Sequence, residues 1–409
     1  MHEDPRIAGL FSADEDGELL IGGDRASALV ERAGDTPLFI YDRAVIDRQI
    51  AALRAAMPGD LELHYAVKAN PYQPVVDHIA AQVDGLDIAS AGELEIALAS
   101  GCDVADISFA GPGKRDRELE AAIRAGVTLN IESANELERG IRIAERVGAP
   151  LRAALRINPT FDLKGSGMRM GGGAKPFGID VDQVPGLLQR IGQAGVDFRG
   201  FHVFAGSQNL KPDAIIEAQR QTVALVADLA AEAPGPTPTA NIGGGFGLPY
   251  FPGDEPLDIV SIGQALGETL DARPAILRDT RFILELGRYI VGNSGVYLTR
   301  VVDRKISGGQ TYLIVDGGLH HQLAASGNFG TVVRRNYPLT NARKFSAPGI
   351  ENANVVGCLC TPLDRLGEKV DLPETEIGDL IGIFMAGAYG RSASPERFLG
   401  HPAALELLA

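Results

Sequence analysis

The chain has 409 residues, 45% hydrophobic and 22% charged, enough apolar material for a large core and, on length, for about two to three domains. A formal net charge of −15 and a pI near 5.0 argue against nucleic acid or an anionic membrane as the main partner. Three cysteines, Cys102, Cys358 and Cys360, form no disulfide framework and point to a reducing, cytoplasmic setting.

The acidic opening "MHEDPRIAGLFSADEDGELL" has no basic stretch leading into an apolar one, so no signal peptide is read there, and no apolar run reaches membrane-spanning length. After a β-like run, "TPLFIYD" (36–42), strand-like and helix-like segments alternate. The strand-like runs are "LHYAVKA" (63–69), "GLDIAS" (85–90), "DISFAG" (106–111), "TLNIES" (128–133), "RAALRIN" (152–158), "FRGFHVFAGS" (198–207), "TANIGGG" (239–245) and "RFILELG" (281–287). Between them, "AGELEIALASG" has helical apolar spacing and a terminal glycine, and "SANELERGIRIAERVG" opens with Ser133 and Glu136 as a capping box. Strand and helix in this rhythm predict a parallel sheet, and eight strands predict closure into a (β/α)8 TIM-like barrel, with an open doubly wound sheet as the alternative.

Past about residue 290 the rhythm changes. "GVYLTRVVDRKISGGQTYLIVDGG" reads as two strands around a Gly-Gly turn, followed by β-like runs at "NANVVGCLC" and "LIGIFMAGAYG". The predicted division is a barrel over 43–288 and a mostly β domain built from 289–409 with 1–42, the N-terminal strand pairing into it. The seven histidines show no HExxH and no pairing with cysteine, and the adjacent His320 and His321 would face opposite ways on a strand, so no metal is expected.

Chemistry in such a barrel gathers at the carboxyl ends of the strands. In order those ends carry Lys68, Asp87, Glu132, Arg156, then His202, Phe204 and Ser207, then Gly243, Gly244 and Gly245, then Glu285 and Arg288. Burial lowers a lysine pKa toward the reactive amine, so Lys68 is a candidate to hold a carbonyl, or else a surface lysine at a strand end. The triple glycine lets backbone N–H groups approach a phosphate, or makes a plain tight loop. Arg288 would add fixed positive charge for that anion, or form a salt bridge at a domain boundary. Amine, phosphate loop, arginine and acid together suggest pyridoxal phosphate, with Glu285 facing the ring nitrogen, although an ordinary strand-end salt bridge is its other reading.

The motifs "YAVKANP", "GLDIASAGELEIAL", "GSQ", "GGGFG", "ELGRYIV", "CTPLD" and "GAYG" occur in the order found in the fold-type III (alanine racemase-like) pyridoxal-phosphate decarboxylases, which include the diaminopimelate, ornithine and arginine decarboxylases. The chain resembles that family from about residue 36 to 402. The resemblance implies a pyridoxal 5'-phosphate-dependent carboxy-lyase acting at an amino-acid Cα, working as a head-to-tail homodimer with shared active sites. It implies Lys68 as the Schiff-base lysine and Glu285 at the ring nitrogen, supported by Asp87 and Arg156. Gly243, Gly244, Gly245, Ser207, Arg288 and Tyr389 would surround the phosphate. Cys360 from the partner subunit would return a proton to Cα, with Asp364 near the substrate on the same side. Racemases of this architecture resemble one another in placing Arg at the ring nitrogen and Tyr as a second base, so Glu285 and Cys360 favour decarboxylation over racemisation.

Four departures from the family pattern lie at or around the site. Phe204 stands where relatives carry a ring-stacking histidine, with His202 two residues earlier as either a site-lining or a core residue, and Leu286 replaces a common proline. Thr361, after Cys360, replaces the acid that holds a distal ammonium. Ala324 replaces the arginine that holds a distal carboxylate in the diaminopimelate enzymes. Losing both charged contacts, about 1.5–3 kcal/mol each, disfavours free diaminopimelate, ornithine or lysine. The variants "SGMRMGGGAKPFGID", "GFHVFAGSQ", "NFGTVVRRNYPL", "LCTPLD" and "GAYGRSASP" are similar to a subgroup known from secondary-metabolite and exosortase-associated clusters. Some of its members act on an amino acid tethered through its side-chain acyl group to a carrier protein. Arg334, Arg335, Arg343 and Lys344 would then meet an acidic acyl carrier protein, or form a solvated basic face.

Overall fold

The computed structural model describes residues 4–163, 165, 167–169, 171–327 and 335–409. It divides into two compact units, one of Met1–Gln49, Pro249–Asp254 and Ile290–Ala409, the other of Ile50–Leu248 and Glu255–Tyr289. Against the expected limits of 43 and 288, the division gives the start of helix Arg43–Ala56 and the segment 249–254 to the first unit.

In the second unit eight parallel strands close on themselves. They are β1 (Glu62–Ala66), β2 (Gly85–Ile88), β3 (Ile107–Phe109), β4 (Thr128–Ile131), β5 (Arg152–Asn158), β6 (Asp197–Val203), β7 (Thr239–Gly244) and β8 (Arg281–Leu286). Each pairs with the next, and β8 pairs with β1 to complete the barrel, with Glu285 in register with His64. The closed barrel, and not the open sheet, is the fold. Its strands are apolar on the face turned to the helices, where Leu63, Tyr65, Leu86 and Leu129 are fully or almost fully buried. On alternate positions they carry polar side chains instead of the usual branched apolar layers: His64, Asp87, Asn130, Arg156, His202, Asn241 and Glu285, all buried. Gly85 makes this possible beside His64, since a Cβ there would lie 2.5 Å from the imidazole.

Helices start where the strand-end residues cap them. Ser133 accepts from the Glu136 N–H at 3.1 Å, and the helix Ala134–Val147 stops at Gly148 with φ +68°. Only half of the expected capping box forms. The Glu136 carboxylate accepts from the Glu132 N–H, one residue before the cap, and holds the buried Lys114 ammonium at 2.6 Å.

The first unit is built on strand Gly295–Ser307, which turns at Gly308-Gly309 (φ +56° and +76°) into Gln310–Val315. Leu38–Tyr41 pairs antiparallel with it, as expected from "TPLFIYD", and so does Leu380–Ile383. Strands Glu351–Val356 and Arg365–Leu372 form a second hairpin, and the final strand Leu405–Leu408 lies parallel to Leu38–Tyr41. Those last two partners, Arg365–Leu372 and Leu405–Leu408, carry charged residues and were not evident as β runs.

Candidate active site

Lys68 lies in a single turn, Val67–Ala69, directly after β1, and Glu285 lies near the end of β8, the strand beside it. The Lys68 Nζ is 3.4 Å from Glu285 Oε1, and the Nζ also sits 5.4 Å from the centre of the Phe204 ring. The other Glu285 oxygen is 3.1 Å from His202 Nε2. Glu285 is buried while the Lys68 side chain is 44% exposed, so the pair has one fixed member and one movable member. Burial opposes the charged carboxylate, but the Lys68 ammonium and His202 outweigh it and hold Glu285 well below the usual carboxylate range.

Asp87, at the level of Ala66 on β2, is pushed up to about 6 by burial and by the charge of Glu285. Ser108 donates to Asp87, Asn130 donates to Ser108 at 3.1 Å, and His64 Nδ1 lies 3.8 Å from Asp87. Burial lowers the His64 pKa, yet Glu62 and Asp87 outweigh it and raise it overall. His64 thus belongs to the polar interior. No sequence signal marked it, because one histidine in a short strand looks like any other. Arg156 is held by its own acid: its Nη1 pairs with Glu132 at 2.8 Å, and its guanidinium lies 5.4 Å from the Phe177 ring centre. Glu132 also accepts from the Gly111 and Gly178 N–H groups, which ties three barrel loops together.

The glycine triplet packs against the loop that follows β6. A Cβ on Gly243 would lie 2.7 Å from the Val203 carbonyl and 3.1 Å from the Phe204 ring, and one on Gly245 would collide with the Gly206 carbonyl. Gly243 and Gly245 have φ of +70° and +80°. Asn209 stitches the two loops, donating to the Gly245 carbonyl and accepting from Gly247, both at 2.9 Å. Ser207, in the same loop, pairs with the strand Met168–Arg169. Arg288 opens the short turn of helix that follows β8.

The remaining candidates belong to the first unit. Cys360 is exposed on the loop between Glu351–Val356 and Arg365–Leu372. Thr361 stands beside it and caps the Leu363 N–H. Asp364, expected near the substrate, is 2% exposed and braces that loop: its two oxygens accept from Leu319 N–H at 2.6 Å and Leu359 N–H at 2.8 Å. Gly318 and Gly357 leave the room its carboxylate needs. Tyr389 has φ +56°, the left-handed region that costs a non-glycine residue energy. Ala324 lies in the turn Ala324–Ser326. Of the basic cluster, Arg334 lies outside the described residues. Arg335 stacks on Phe251 at 4.0 Å, Lys344 pairs with Asp379 at 3.3 Å, and Arg343 is exposed.

The residues fit pyridoxal phosphate chemically: an amine, a carboxylate held anionic, an aromatic ring beside the amine, and a backbone-only loop closed by Ser207. At 3.4 Å no ring fits between Lys68 and Glu285, so the lysine stem must swing off the acid, which its exposure permits. Residues 43–292 match the family described as "Pyridoxal-dependent decarboxylase, pyridoxal binding domain". The chain belongs to the pyridoxal-dependent decarboxylases. As a member of that family it is 36% identical, over 93% of its length and 90% of the relative's, to "L-glutamyl-[BtrI acyl-carrier protein] decarboxylase" of Niallia circulans. Identity is 32% to a diaminopimelate decarboxylase of Archaeoglobus fulgidus, covering 98% of this chain and 93% of that one. The crystal structure of diaminopimelate decarboxylase from Helicobacter pylori complexed with L-lysine superposes with a TM-score of 0.82 at 28% identity, over 94% of both chains. This decarboxylase therefore uses pyridoxal phosphate, and it has the barrel and β domain of its relatives. Among the described residues no helix is long and apolar enough to cross a membrane.

Proposed function

We propose that this decarboxylase acts on an amino acid tethered through its side chain to an acyl carrier protein, with glutamate as the first candidate, in a site completed by a second copy of the chain. The observation that carries the substrate reading is the uncharged pair Thr361 and Ala324, where a free diamino acid would need an acid or an arginine. A side chain held as a thioester has no distal charge, so it loses nothing at these two positions. The Niallia circulans relative, named for an L-glutamyl carrier-protein substrate, supports the same reading.

When bound, pyridoxal phosphate supplies an aldehyde for the substrate amine and a pyridinium ring that draws electrons from the bond broken at Cα. The chain's residues take the other tasks. Lys68 would hold the cofactor through its amine, and Glu285, kept anionic by its cationic neighbours, would be the acid available to the ring nitrogen. His202 fixes the second Glu285 oxygen. Phe204 covers the ring without offering a proton. Gly243, Gly244, Gly245, Ser207 and Arg288, with Tyr389, receive the phosphate. Asp87 and Arg156 support the wall of the site. Cys360 of a second copy delivers the proton that replaces carbon dioxide at Cα, on a loop that Asp364 holds in shape.

The test is carbon dioxide release from glutamyl carrier protein compared with free glutamate, diaminopimelate, ornithine, lysine and arginine. The tethered substrate should exceed each free one by at least about tenfold in kcat/KM, the size of one missing charged contact. Faster turnover of a free diamino acid would overturn the substrate assignment while leaving the family intact.

A further inference from the structure

We propose that His320, Cys358 and His401 form a zinc site in the β-rich unit, on the same loop as Cys360. One ligand atom from each of the three residues lies within 4.8 Å of the other two. The Cys358 Sγ is 3.8 and 3.9 Å from the two ring nitrogens of His401, so either nitrogen can be turned toward a shared ion. A tetrahedral zinc with bonds of 2.0–2.3 Å separates its ligand atoms by about 3.3–3.8 Å, so the cluster needs only a small contraction. The contact of Cys358 with His401 corrects the expectation that no histidine pairs with cysteine. His320 and His321 lie in a turn, not a strand, with ring centres 3.7 Å apart.

The two adjacent histidines provide a control within the fold. His321 has both nitrogens engaged, one 3.2 Å from the Tyr297 hydroxyl and one 2.8 Å from the Pro402 carbonyl. His320 is 0% exposed, and neither of its ring nitrogens has a hydrogen-bond partner among the described residues. A buried polar atom left this way costs free energy, and a metal bond removes the cost. The three ligand-bearing segments are brought together by other bonds: Cys358 N–H donates to the Gly317 carbonyl at 3.2 Å, and the His321–Pro402 contact secures the segment of His401. One thiolate and two neutral imidazoles without a carboxylate suit Zn2+ and exclude Mg2+ or Ca2+. Binding releases the Cys358 thiol proton to solvent and leaves a fourth position for water. It also pins the loop two residues before Cys360.

The experiment uses the full-length holoenzyme, stripped with a chelator and titrated with Co2+, whose thiolate charge-transfer absorption reports a Co–S bond. The site should take up cobalt with that band, and added Zn2+ should abolish it. Cys358→Ser should lose the band and Cys360→Ser should keep it. His401→Gln, at a partly exposed position, should weaken cobalt affinity at least about tenfold without unfolding the chain, checked by circular dichroism. No thiolate band at stoichiometric cobalt, or a band that survives Cys358→Ser, would overturn the site.

Discussion

Glu285 has a cation-capable partner on each oxygen, Lys68 on one and His202 on the other, and Asp87 nearby carries the opposite bias. Two buried carboxyls that influence each other cannot both ionise freely, and the one beside the ammonium keeps the charge. The pH dependence has a definite sign. Asp87, raised from 3.8 to about 6, binds its proton more tightly folded than unfolded. Its contribution to stability is therefore complete at pH below the ordinary value and declines as pH rises toward the raised one. Asp87→Asn should flatten the fall in the urea midpoint between about pH 4 and 6. An unchanged slope would show that Asp87 does not titrate there. Lys68 and Glu285 were legible as strand-end residues, since their type clashes with an apolar strand. His202 was visible but ambiguous, because only the register of β6 against β7 and β5 turns it inward toward Glu285. The convergence of His320 with Cys358 and His401 was not legible at all: cysteine and second histidine are 43 residues apart, and their meeting depends on tertiary bonds.

At the level of elements, the eight barrel strands were readable because parallel strands buried on both faces appear as short apolar runs between helical periods. Strand Arg365–Leu372 was not, because its four charged residues, Arg365, Glu368, Lys369 and Asp371, include a consecutive pair that breaks the apolar alternation of a half-buried strand. The packing shows why β7 runs out through three glycines, Gly243 and Gly244 at its end and Gly245 just past it. Their freedom serves close packing of two protein loops, and the rim they leave is backbone. Gly245→Ala would place a methyl group against the Gly206 carbonyl at φ +80°, and is expected to destabilise the barrel by about 2–4 kcal/mol, from overpacking and left-handed strain together. Denaturant unfolding of the cofactor-free protein checks it. A loss below about 0.5 kcal/mol would mean that the loop has slack the packing does not show.

At the scale of the whole molecule, Lys68 and Glu285 belong to the barrel unit and Cys360 to the β-rich unit. Family resemblance implied a dimer with shared sites, which no periodicity or composition in one chain can reveal. If sites are shared across copies, mixing inactive Lys68→Ala and Cys360→Ala chains after reversible dissociation should recover about a quarter of wild-type activity, since half of the dimers carry one intact site. No recovery from a verified heterodimer would place both residues in one chain's site.

On the function proposed here, the amine of Lys68 just past β1, 3.4 Å from Glu285 near the end of β8, is the cofactor's anchor. Borohydride reduction of the holoenzyme, followed by proteolysis and mass spectrometry, tests it most directly. A pyridoxyl group is expected on the peptide containing Lys68 and on no other lysine. A modified peptide lacking Lys68, or a cofactor-saturated enzyme with no modified lysine, would contradict it.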